Sequence, residues 1–440
     1  MTAFEGARGD RLLSTLSERT MRHNDPVTGR AARQVIHLLL ARADTGTLSI
    51  EEHVNGNSRS FRHFVGSKSG IETRVKVRDV RAYTAIVREG SVGLGRGFIE
   101  GWWTADDPVA VVRYLITNLG RLDAARNRWH RVTRWVGEPV RARRRPSGRS
   151  GEHADHRRRN RDEIEAHYDI GNEFFELFLD ETMTYSSGVF PSPDASLADA
   201  SRHKYDMLLS KVGVTSNHRL LEIGTGWGGL AIRAAETTGC SVTSTTISSE
   251  QLREARQRVE TAGFSGQVEL LDSDWRDLPA VATPRFDRLI SIEMIEAVDW
   301  RDYDDFFATI ERCLTPDGVA GIQAICLPDD RWERGKHTKD FISRFVFPNG
   351  CLPSVAAVKK SVASATSLHV ADVEDLTPHY AETLARWRAN FDARLDEVSA
   401  LGLDERFQRL WRFYLAYCEA AFRERHCLVV QVVLAGPHAK

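Results

Sequence analysis

The stretch RLLEIGTGWGGLAIRAAETTG, Arg219 to Gly239, decides the fold. A short apolar run leads into a turn of four glycines, and the pattern LAIRAAE that follows is helical. Glycines directly after a strand let backbone N–H groups approach a ligand, and the N-terminus of the next helix favours an anionic or polar group. The stretch therefore predicts a cofactor-binding turn between a strand and a helix.

The glycine spacing alone does not identify the cofactor. Gly224, Gly226 and Gly229 satisfy the GxGxxG spacing of dinucleotide-binding folds. In those folds an acid that binds the ribose is expected ~20 residues further on. Here the next apolar run ends in STTIS, and Glu250 follows only later. The chain also has no P-loop lysine after the glycines, so a dinucleotide fold is disfavoured but not excluded.

Three more strand signals follow the turn. They are CSVTSTTIS (Cys240 to Ser248), QVELLDSDWRDL (Gln267 to Leu278) and FDRLISIEMIEAV (Phe286 to Val298). A helical segment begins after Ser248, a predicted N-cap, with Gln251 in the capping-box position. This alternation predicts an α/β fold with a mostly parallel sheet, whose ligand crevice lies beyond the carboxyl ends of the strands. Gly224, Thr246, Asp274 and Glu296 fall at those ends.

Length and charge predict two domains joined by a basic linker. The chain has 440 residues and is 42% hydrophobic, enough for one large and one smaller core. We expect a small N-terminal domain over residues 1–140, a linker over 141–162 and a catalytic domain over 163–440. Residues 1–160 hold 30 Lys and Arg against 17 Asp and Glu, and the remainder holds 30 against 44.

The linker RARRRPSGRSGEHADHRRRNRDE has almost no apolar residues. Two interpretations are open, a solvated connector or a segment attracted to an anionic membrane surface. Nucleic acid is disfavoured, because no aromatic residues interleave the arginines and no nucleic-acid-binding module is evident.

The N-terminal domain is expected to be mixed α/β. GRAARQVIHLLLARA is predicted to be a helix, and TLSIEEHVNG and ETRVKVRD are predicted to be strands. The segment VREGSVGLGRGFIEGWWTADDP, with five glycines, is predicted to be a compact loop and the start of a helix. Trp102 and Trp103 within it are expected to be core or interdomain contacts.

Cysteine usage and hydropathy argue for a cytoplasmic protein. The six cysteines lack CxxC spacing, which disfavours a zinc site and a disulfide framework, and no metal site is predicted. The N-terminus lacks the layout of a signal peptide, and no window holds the roughly 18 apolar residues of a membrane span.

Longer motifs carry a family resemblance. The order of strands, helices and E-x-G-x-G-x-G resembles the class I S-adenosylmethionine (SAM) methyltransferases. AHYDIGNEFFELFLDETMTYSSGVF (Ala166 to Phe190) resembles the hallmark block of the cyclopropane-fatty-acyl-phospholipid synthases. FPNGCLPS, HYAETLARW and YLAYCEAAFRER resemble C-terminal blocks of that family, and GFIEGWW resembles a block of its N-terminal domain.

The resemblance implies methyl transfer from SAM to the cis double bond of an acyl chain carried on a phospholipid. The implied cofactor residues are Tyr185, Ser186, Glu222, Gly224, Gly226, Gly228, Thr246, Ile247, Ser248, Gln251, Asp274 and Trp275. Trp275 is expected to cover the adenine, although a core aromatic is the alternative. An alkene is a weak nucleophile, so it must be aligned in a dry pocket, and the carbocation that forms must be shielded and deprotonated.

The resemblance further implies bicarbonate as the base. The matching positions are Ser187, Glu296, Gln323, Ile325 and Tyr380. Ser187 stands where a cysteine is usual and Gln323 where a histidine is usual, and a glutamine can still donate an N–H to an anion. Among the two acids of SIEMIEAV, Glu296 matches the functional position, whereas Glu293 is either a supporting polar contact or a strand-end acid.

Two further residues fall in the matching blocks. His167 is expected to line the active site, and Cys418 matches a cysteine once proposed as catalytic, although a buried small hydrophobe is the more frequent role.

Two products are open at this stage. Ring closure, which gives a cyclopropane fatty acid, is the main prediction. The variant EMIEAV instead resembles family members that form a methylene-branched chain. A separate reductase converts that chain to a methyl branch. The protein is expected to be cytoplasmic and peripheral at the inner face of the membrane. A homo-oligomer is compatible with the sequence, which does not fix the oligomeric state.

Overall fold

The structure, a computed structural model, describes residues 26–53, 59–125, 170–281, 285–348 and 350–439. The chain divides into two compact units. The first unit comprises Met1–Arg159, Asp340–Val346 and Gly402–Glu424, and the second comprises Asn160–Lys339, Phe347–Leu401 and Arg425–Lys440. The units are therefore interleaved along the sequence, whereas the predicted domains are contiguous. The predicted basic linker, 141–162, lies outside the described residues.

Strands and helices alternate along most of the described chain. The strands are β1 (Thr45–His53), β2 (Arg59–Val65), β3 (Lys68–Val77), β4 (Trp103–Ala105), β5 (Arg219–Ile223), β6 (Ser241–Thr246), β7 (Val268–Asp272), β8 (Phe286–Ile292), β9 (Leu314–Cys326), β10 (His369–Asp375) and β11 (Leu428–Ala435). The helices are α1 (Pro26–Leu40), α2 (Arg81–Glu89), α3 (Ser91–Ile99), α4 (Pro108–Thr117), α5 (Asn172–Glu176), α6 (Leu197–Lys211), α7 (Gly229–Thr238), α8 (Ser249–Thr261), α9 (Leu278–Val281), α10 (Tyr303–Cys313), α11 (Asp329–Gly335), α12 (Phe341–Phe345), α13 (Val355–Ala365), α14 (Thr377–Ala393), α15 (Leu395–Ala400) and α16 (Glu405–Arg423).

The first unit is built on a small mixed sheet. Its strand order is β2-β1-β3-β4, with β1 parallel to β3 and antiparallel to β2. The helix α1 and the strands β1 and β3 confirm the mixed α/β character expected of this part of the chain. The strand β2 was not predicted. Its sequence RSFRHFV interleaves basic and apolar side chains, and it follows the turn signal NGNS, Asn55 to Ser58.

One segment of the first unit corrects the sequence prediction. The glycine-rich segment, expected to be a compact loop and the start of a helix, contains the whole of the helix α3. The glycines are needed for close packing, because a Cβ on Gly93 would lie 2.0 Å from the carbonyl oxygen of Ala85 and one on Gly95 would lie 2.1 Å from the Phe341 ring. Trp103 is a core residue of this unit, edge-on to Phe98 at 5.1 Å between ring centroids.

The second unit contains a seven-stranded sheet of order β10-β11-β9-β8-β5-β6-β7. The strands β5 to β9 pair in parallel, and β11 runs antiparallel between β9 and β10. This arrangement confirms the predicted α/β fold with a mostly parallel sheet. No helix among the described residues is long and apolar enough to cross a membrane.

Apolar residues on both faces hold this sheet. Leu220 and Leu221 are neighbours on β5, and both are fully buried. Leu221 belongs to a cluster with α10 and α13, and Leu220 to a cluster with α6 and α7. Since successive side chains of a strand point to opposite faces, the two clusters cover the sheet on both sides. Because both faces are covered by apolar residues, we expect the functional polar groups at the ends of the strands.

Candidate active site

The glycine turn after β5 forms the first part of the site. Gly224, Gly226 and Gly228 have φ values of 103°, 52° and 86°, a region that glycine adopts readily. The backbone N–H groups of Gly224 and Thr225 donate to Thr245 O at 2.9 and 3.0 Å, which ties the turn to β6. A Cβ on Gly226 would meet no atom within 4 Å, so the turn opens onto free space. This open cradle fits the cofactor that the sequence predicts.

The end of β6 adds a small polar cluster. Ser248 caps α8 and accepts from Gln251 N at 3.3 Å, as predicted. The reciprocal bond of a capping box is replaced, because Ser248 N donates to Thr246 Oγ1 at 3.1 Å and the Gln251 side chain lies 3.2 Å from the same hydroxyl. Ile247 is half-buried between them. The four residues therefore form one compact corner of the site.

Asp274 and Trp275 follow β7 and are already engaged by protein groups. Asp274 accepts from Arg276 N at 2.9 Å, and its carboxylate also pairs with the Arg276 guanidinium. Trp275 is buried, with its ring edge-on to Phe306 at 5.2 Å and the Arg276 guanidinium 4.3 Å from its centroid. These are contacts of a core aromatic, and the predicted cofactor roles of both residues stay predictions.

Tyr185 and Ser186 lie beside an aromatic cluster and a buried lysine. The Tyr185 ring is 5.3 Å from Phe175 and 5.4 Å from Trp387. Lys204, on α6, is fully buried and donates to Ser186 Oγ at 2.6 Å. Burial lowers the pKa of Lys204 to about 8, while the negative charges of Glu293, Asp180 and Glu222 act in the opposite direction.

Glu222 brings a buried carboxyl group to the end of β5. It accepts from Ser244 Oγ at 2.5 Å, and Ser244 is in turn 2.7 Å from Thr225 Oγ1. Burial raises the pKa of Glu222 to about 8, which the hydroxyl of Ser244 and the charge of Lys204 partly offset. A carboxyl group in this environment is held rigidly behind the glycine turn.

Glu293 is the centre of a second buried network. Its Oε1 accepts from Ser187 N at 2.9 Å and from Gln323 Nε2 at 2.8 Å, and its Oε2 accepts from the Tyr380 hydroxyl at 2.9 Å. Gln323 is fixed from behind, because its Oε1 accepts from Gln431 at 3.1 Å. Burial raises the pKa of Glu293, whereas the charge of Lys204 and the three hydrogen bonds lower it.

Glu296 lies one turn further along, in a short 3₁₀ helix after β8. Its Oε1 accepts from the backbone N–H of Ile325, and its Oε2 is buried without a hydrogen-bond partner among the described residues. Burial, and next to it the charge of Glu293, raises the pKa of Glu296 to about 8. Glu296 therefore holds its proton at neutral pH, because the ionised form would be desolvated beside another carboxylate.

The structure brings most of the predicted base cluster together. Ser187, Gln323 and Tyr380 meet at Glu293, and Ile325 meets Glu296. Cys418 is half-buried on α16, which belongs to the first unit. His167 lies outside the described residues. The catalytic role of each of these residues stays a prediction.

Two polar residues of the site were missed or left open by the sequence. The sequence assigned the functional position to Glu296 and left Glu293 as either a supporting polar contact or a strand-end acid. The signal that could have separated the two acids was weak, since both follow the same strand. Lys204 lies within the helical pattern LADASRHKYDMLLSK, where a lysine ordinarily faces water. Nothing in that pattern shows that its side chain points inward.

Known proteins resemble this chain over most of its length. The family model of mycolic acid cyclopropane synthetase matches residues 155–432. Tuberculostearic acid methyltransferase UfaA1 from Mycobacterium tuberculosis is 41% identical over 362 residues, which cover 80% of this chain and 81% of that protein. The cyclopropane-fatty-acyl-phospholipid synthase of Escherichia coli is 32% identical over 366 residues, 82% of this chain and 87% of that protein.

A solved structure agrees with the fold. Mycolic acid cyclopropane synthase CmaA1, in complex with SAH and CTAB, matches with a TM-score of 0.58 at 33% identity, and the match covers 62% of this chain and 98% of that one. The seven-stranded sheet and the open glycine turn of this chain are the features that SAM binding requires. The predicted family and the predicted SAM cofactor are confirmed. The chain belongs to the mycolic acid cyclopropane synthetase family and is a SAM-dependent methyltransferase.

Proposed function

We propose that the protein methylates the cis double bond of an unsaturated acyl chain carried on a phospholipid. SAM supplies the methyl group. The names of the relatives in Mycobacterium tuberculosis and Escherichia coli support a fatty-acid and phospholipid substrate. The protein's own residues bind and orient the two reactants, exclude water and remove a proton.

The observation that carries this proposal is the aromatic wall that joins the two parts of the site. The Tyr380 ring lies 6.2 Å from Trp387, and Trp387 lies 5.4 Å from Tyr185. Tyr380 donates to Glu293, while Tyr185 precedes Ser186, the partner of Lys204. Aromatic faces stabilise positive charge and keep out water, which is what a carbocation on an acyl chain requires.

For the product, we propose the methylene-branched chain. The relative that is 41% identical is named for tuberculostearic acid, a methyl-branched acid whose precursor is such a chain. The cyclopropane is the second candidate, and the name of the Escherichia coli relative supports it. Both products add one carbon and two hydrogens to the lipid, so their masses are the same.

Nuclear magnetic resonance of the product separates the two candidates. The purified full chain is incubated with SAM and oleoyl phospholipid vesicles, and the fatty acids are released and analysed. We expect vinylidene protons, whereas cyclopropyl protons would favour the second candidate. Stearoyl phospholipid, which lacks a double bond, is the matched control and is expected to remain unmodified. If SAM is not consumed with any unsaturated lipid, the lipid substrate is wrong.

Several finer predictions extend this proposal. They are an anionic membrane surface as a partner, a reductase that acts on the product, and a peripheral location at the inner face of the membrane. Nucleic acid is not expected to bind. Flotation of the full chain with vesicles of neutral or anionic phospholipid tests the membrane partner directly, since only the anionic vesicles should carry the protein.

A further inference from the structure

The three donors expected to hold bicarbonate are already used by a side chain of the protein. Ser187 N, Gln323 Nε2 and the Tyr380 hydroxyl all donate to the Glu293 carboxylate, at 2.8 to 2.9 Å. The second N–H of Gln323 faces Ser187 O at 3.4 Å. A bicarbonate ion placed against these donors would have to displace Glu293, and it would face the negative charge of that carboxylate. The residues present therefore do not fit a bound bicarbonate.

The backbone presents Glu293 at this place. Its φ is 49°, in the left-handed region that a side chain other than asparagine or aspartate rarely adopts. Such a conformation is strained and persists where the surroundings impose it, as they do at functional sites. The bond from Glu293 N to Gln323 O, at 2.8 Å, holds it. The chain therefore keeps an unfavourable backbone conformation at Glu293, which indicates that the position of this carboxylate is important.

Glu293 also lies against the cofactor turn. The next residue, Met294, packs on Gly224, since a Cβ there would lie 3.5 Å from Met294 Cγ. On the other side, Ser187 follows Tyr185 and Ser186, which the family resemblance assigns to the cofactor. The carboxylate is thus held between two segments expected to surround the methyl donor.

The surroundings of Glu293 act on its charge in both directions. Three hydrogen bonds and the buried ammonium of Lys204 favour the ionised form, and burial opposes it by raising the pKa. The neighbouring Glu296, which has fewer donors, is the acid that holds a proton. The hydrogen-bond donors therefore favour a negative charge on Glu293 over one on Glu296. A desolvated carboxylate of raised pKa is a stronger base than one in water.

We infer that Glu293 is the built-in proton acceptor of the reaction, in the place where the family resemblance implies bicarbonate. The inference rests on the proposed function. The π pair of the alkene forms the new C–C bond while the pair of the S–CH₃ bond returns to sulfur, which leaves a carbocation on the acyl chain. A hydrogen of the added methyl group then leaves as a proton to a Glu293 oxygen.

The electron pair of that C–H bond decides the product. It closes the cyclopropane when the positive charge is on the neighbouring carbon. For the methylene product, a 1,2-hydride shift first brings the charge to the carbon that bears the methyl group, and the pair then forms the exocyclic double bond. In both cases one proton ends on Glu293 and passes later to water. No external base is required.

The first experiment needs no variant. Turnover of the wild type on oleoyl phospholipid is measured in buffer freed of carbon dioxide and again after bicarbonate is added. We expect the two rates to agree within about twofold. Loss of turnover on removal of bicarbonate, with recovery on its return, would overturn the inference, because the ion and not Glu293 would then be the base.

Variants supply the second experiment. Glu293→Gln is expected to lose about 100-fold or more in turnover, the usual scale for a lost general base, while SAM binding by calorimetry changes little. Glu293→Ala leaves Ser187 N, Gln323 and Tyr380 without their acceptor, and added formate or bicarbonate should restore at least about tenfold of the lost rate. Glu260 is an exposed acid on α8, and Glu260→Gln is the matched control. Its turnover should equal that of the wild type, with or without added formate or bicarbonate.

The outcomes separate the two proposals. If the wild type forms no modified lipid although it binds SAM, the proposed function fails and the inference fails with it. If the wild type forms product and Glu293→Gln retains at least about a third of its turnover, only the inference fails. A purely structural role for Glu293 predicts loss of SAM binding and no rescue by anions, which also overturns it.

Discussion

Two acids three residues apart at the end of β8 have different chemistry because their partners differ. Glu293 has three donors and a nearby ammonium group, whereas Glu296 has one backbone donor and an oxygen without a partner among the described residues. Hydrogen-bond donors stabilise the ionised form of a carboxyl group, and burial without them stabilises the neutral form. The division of roles between a base and a neutral acid thus follows from the contacts of each side chain.

The neutral state of Glu296 gives a prediction on stability. Its pKa is about 8 in the folded chain and 4.5 in the ordinary state, because burial and the charge of Glu293 raise it. A raised pKa stabilises the fold below pH 4.5, and that contribution is lost as the pH rises to about 8. Glu296→Gln mimics the neutral acid and does not titrate. We expect the variant to gain stability relative to the wild type over this range.

Thermal unfolding at a series of pH values measures the effect. The melting temperatures of wild type and Glu296→Gln should be similar at low pH, and the variant should melt higher above pH 8. The difference in unfolding free energy should reach on the order of 5 kcal/mol. Glu260→Gln serves as the exposed control and should follow the wild type throughout. A constant offset between Glu296→Gln and wild type would show that Glu296 is ionised in the fold.

At this scale the sequence predicted which residues belong to the site, but not the hydrogen bonds between them. Ser187, Gln323 and Tyr380 were named through matching motifs, and each meets the site in the structure. Their partner could not be derived, because the choice between Glu293 and Glu296 depends on a positive φ and on donor groups 30, 87 and 106 residues away in sequence. Burial of Lys204 depends in the same way on packing that a helical pattern does not report.

At the scale of elements, the glycine turn between β5 and α7 is the feature that the sequence predicted best. A Cβ on Gly226 meets nothing, so the space beside it is available to SAM. Gly226→Ala should therefore fold with a strain of about 1 kcal/mol from the positive φ. Its methyl group would occupy the open side of the turn, and we expect SAM affinity to fall about tenfold or more, equivalent to about 1.4 kcal/mol.

Gly263 offers a matched control for this prediction. It follows α8 with a φ of 81°, and a Cβ there also meets nothing within 4 Å. Gly263→Ala should therefore lose a similar amount of stability and keep its affinity for SAM. Isothermal calorimetry measures the binding, and thermal unfolding measures the strain. Equal losses of affinity in both variants would mean that strain alone, and not contact with the cofactor, explains the effect at Gly226.

Elements that depend on tertiary packing were predicted less well. Glycine has low helix propensity, so GSVGLGRG favours a loop by local rules. The helix α3 forms because the missing side chains let it approach Ala85, Phe341 and Trp103, none of which a local pattern can bring near. The parallel strands of the second unit, by contrast, are apolar enough to be recognised alone. Local sequence patterns therefore predict strands that are buried on both faces, and they do not predict a helix whose formation depends on tertiary contacts.

At the scale of the whole molecule, the first unit depends on segments from late in the chain. The helices α12 and α16 belong to it, although the strands and helices of the second unit surround them in sequence. Phe413 of α16 lies 5.1 Å from Phe98 and 4.9 Å from Phe341, between ring centroids, and all three are buried. The packing therefore indicates that the N-terminal residues cannot be removed without exposing apolar side chains of α12 and α16.

This interleaving predicts the result of a truncation. Removal of residues 1–159 would leave α12 and α16 without the partners of Phe341 and Phe413, and each exposed phenylalanine loses about 1.5–3 kcal/mol of burial. We expect the fragment 160–440 to bind a hydrophobic dye and to aggregate on size-exclusion chromatography, and supply of residues 1–159 in trans should reduce both effects. A monomeric fragment with a cooperative melt would show instead that α16 is stable without the first unit's sheet. Because the expected failure is one of folding, lost lipid methylation in the fragment would say nothing about lipid binding, and that role is better tested by charge reversals in the full chain.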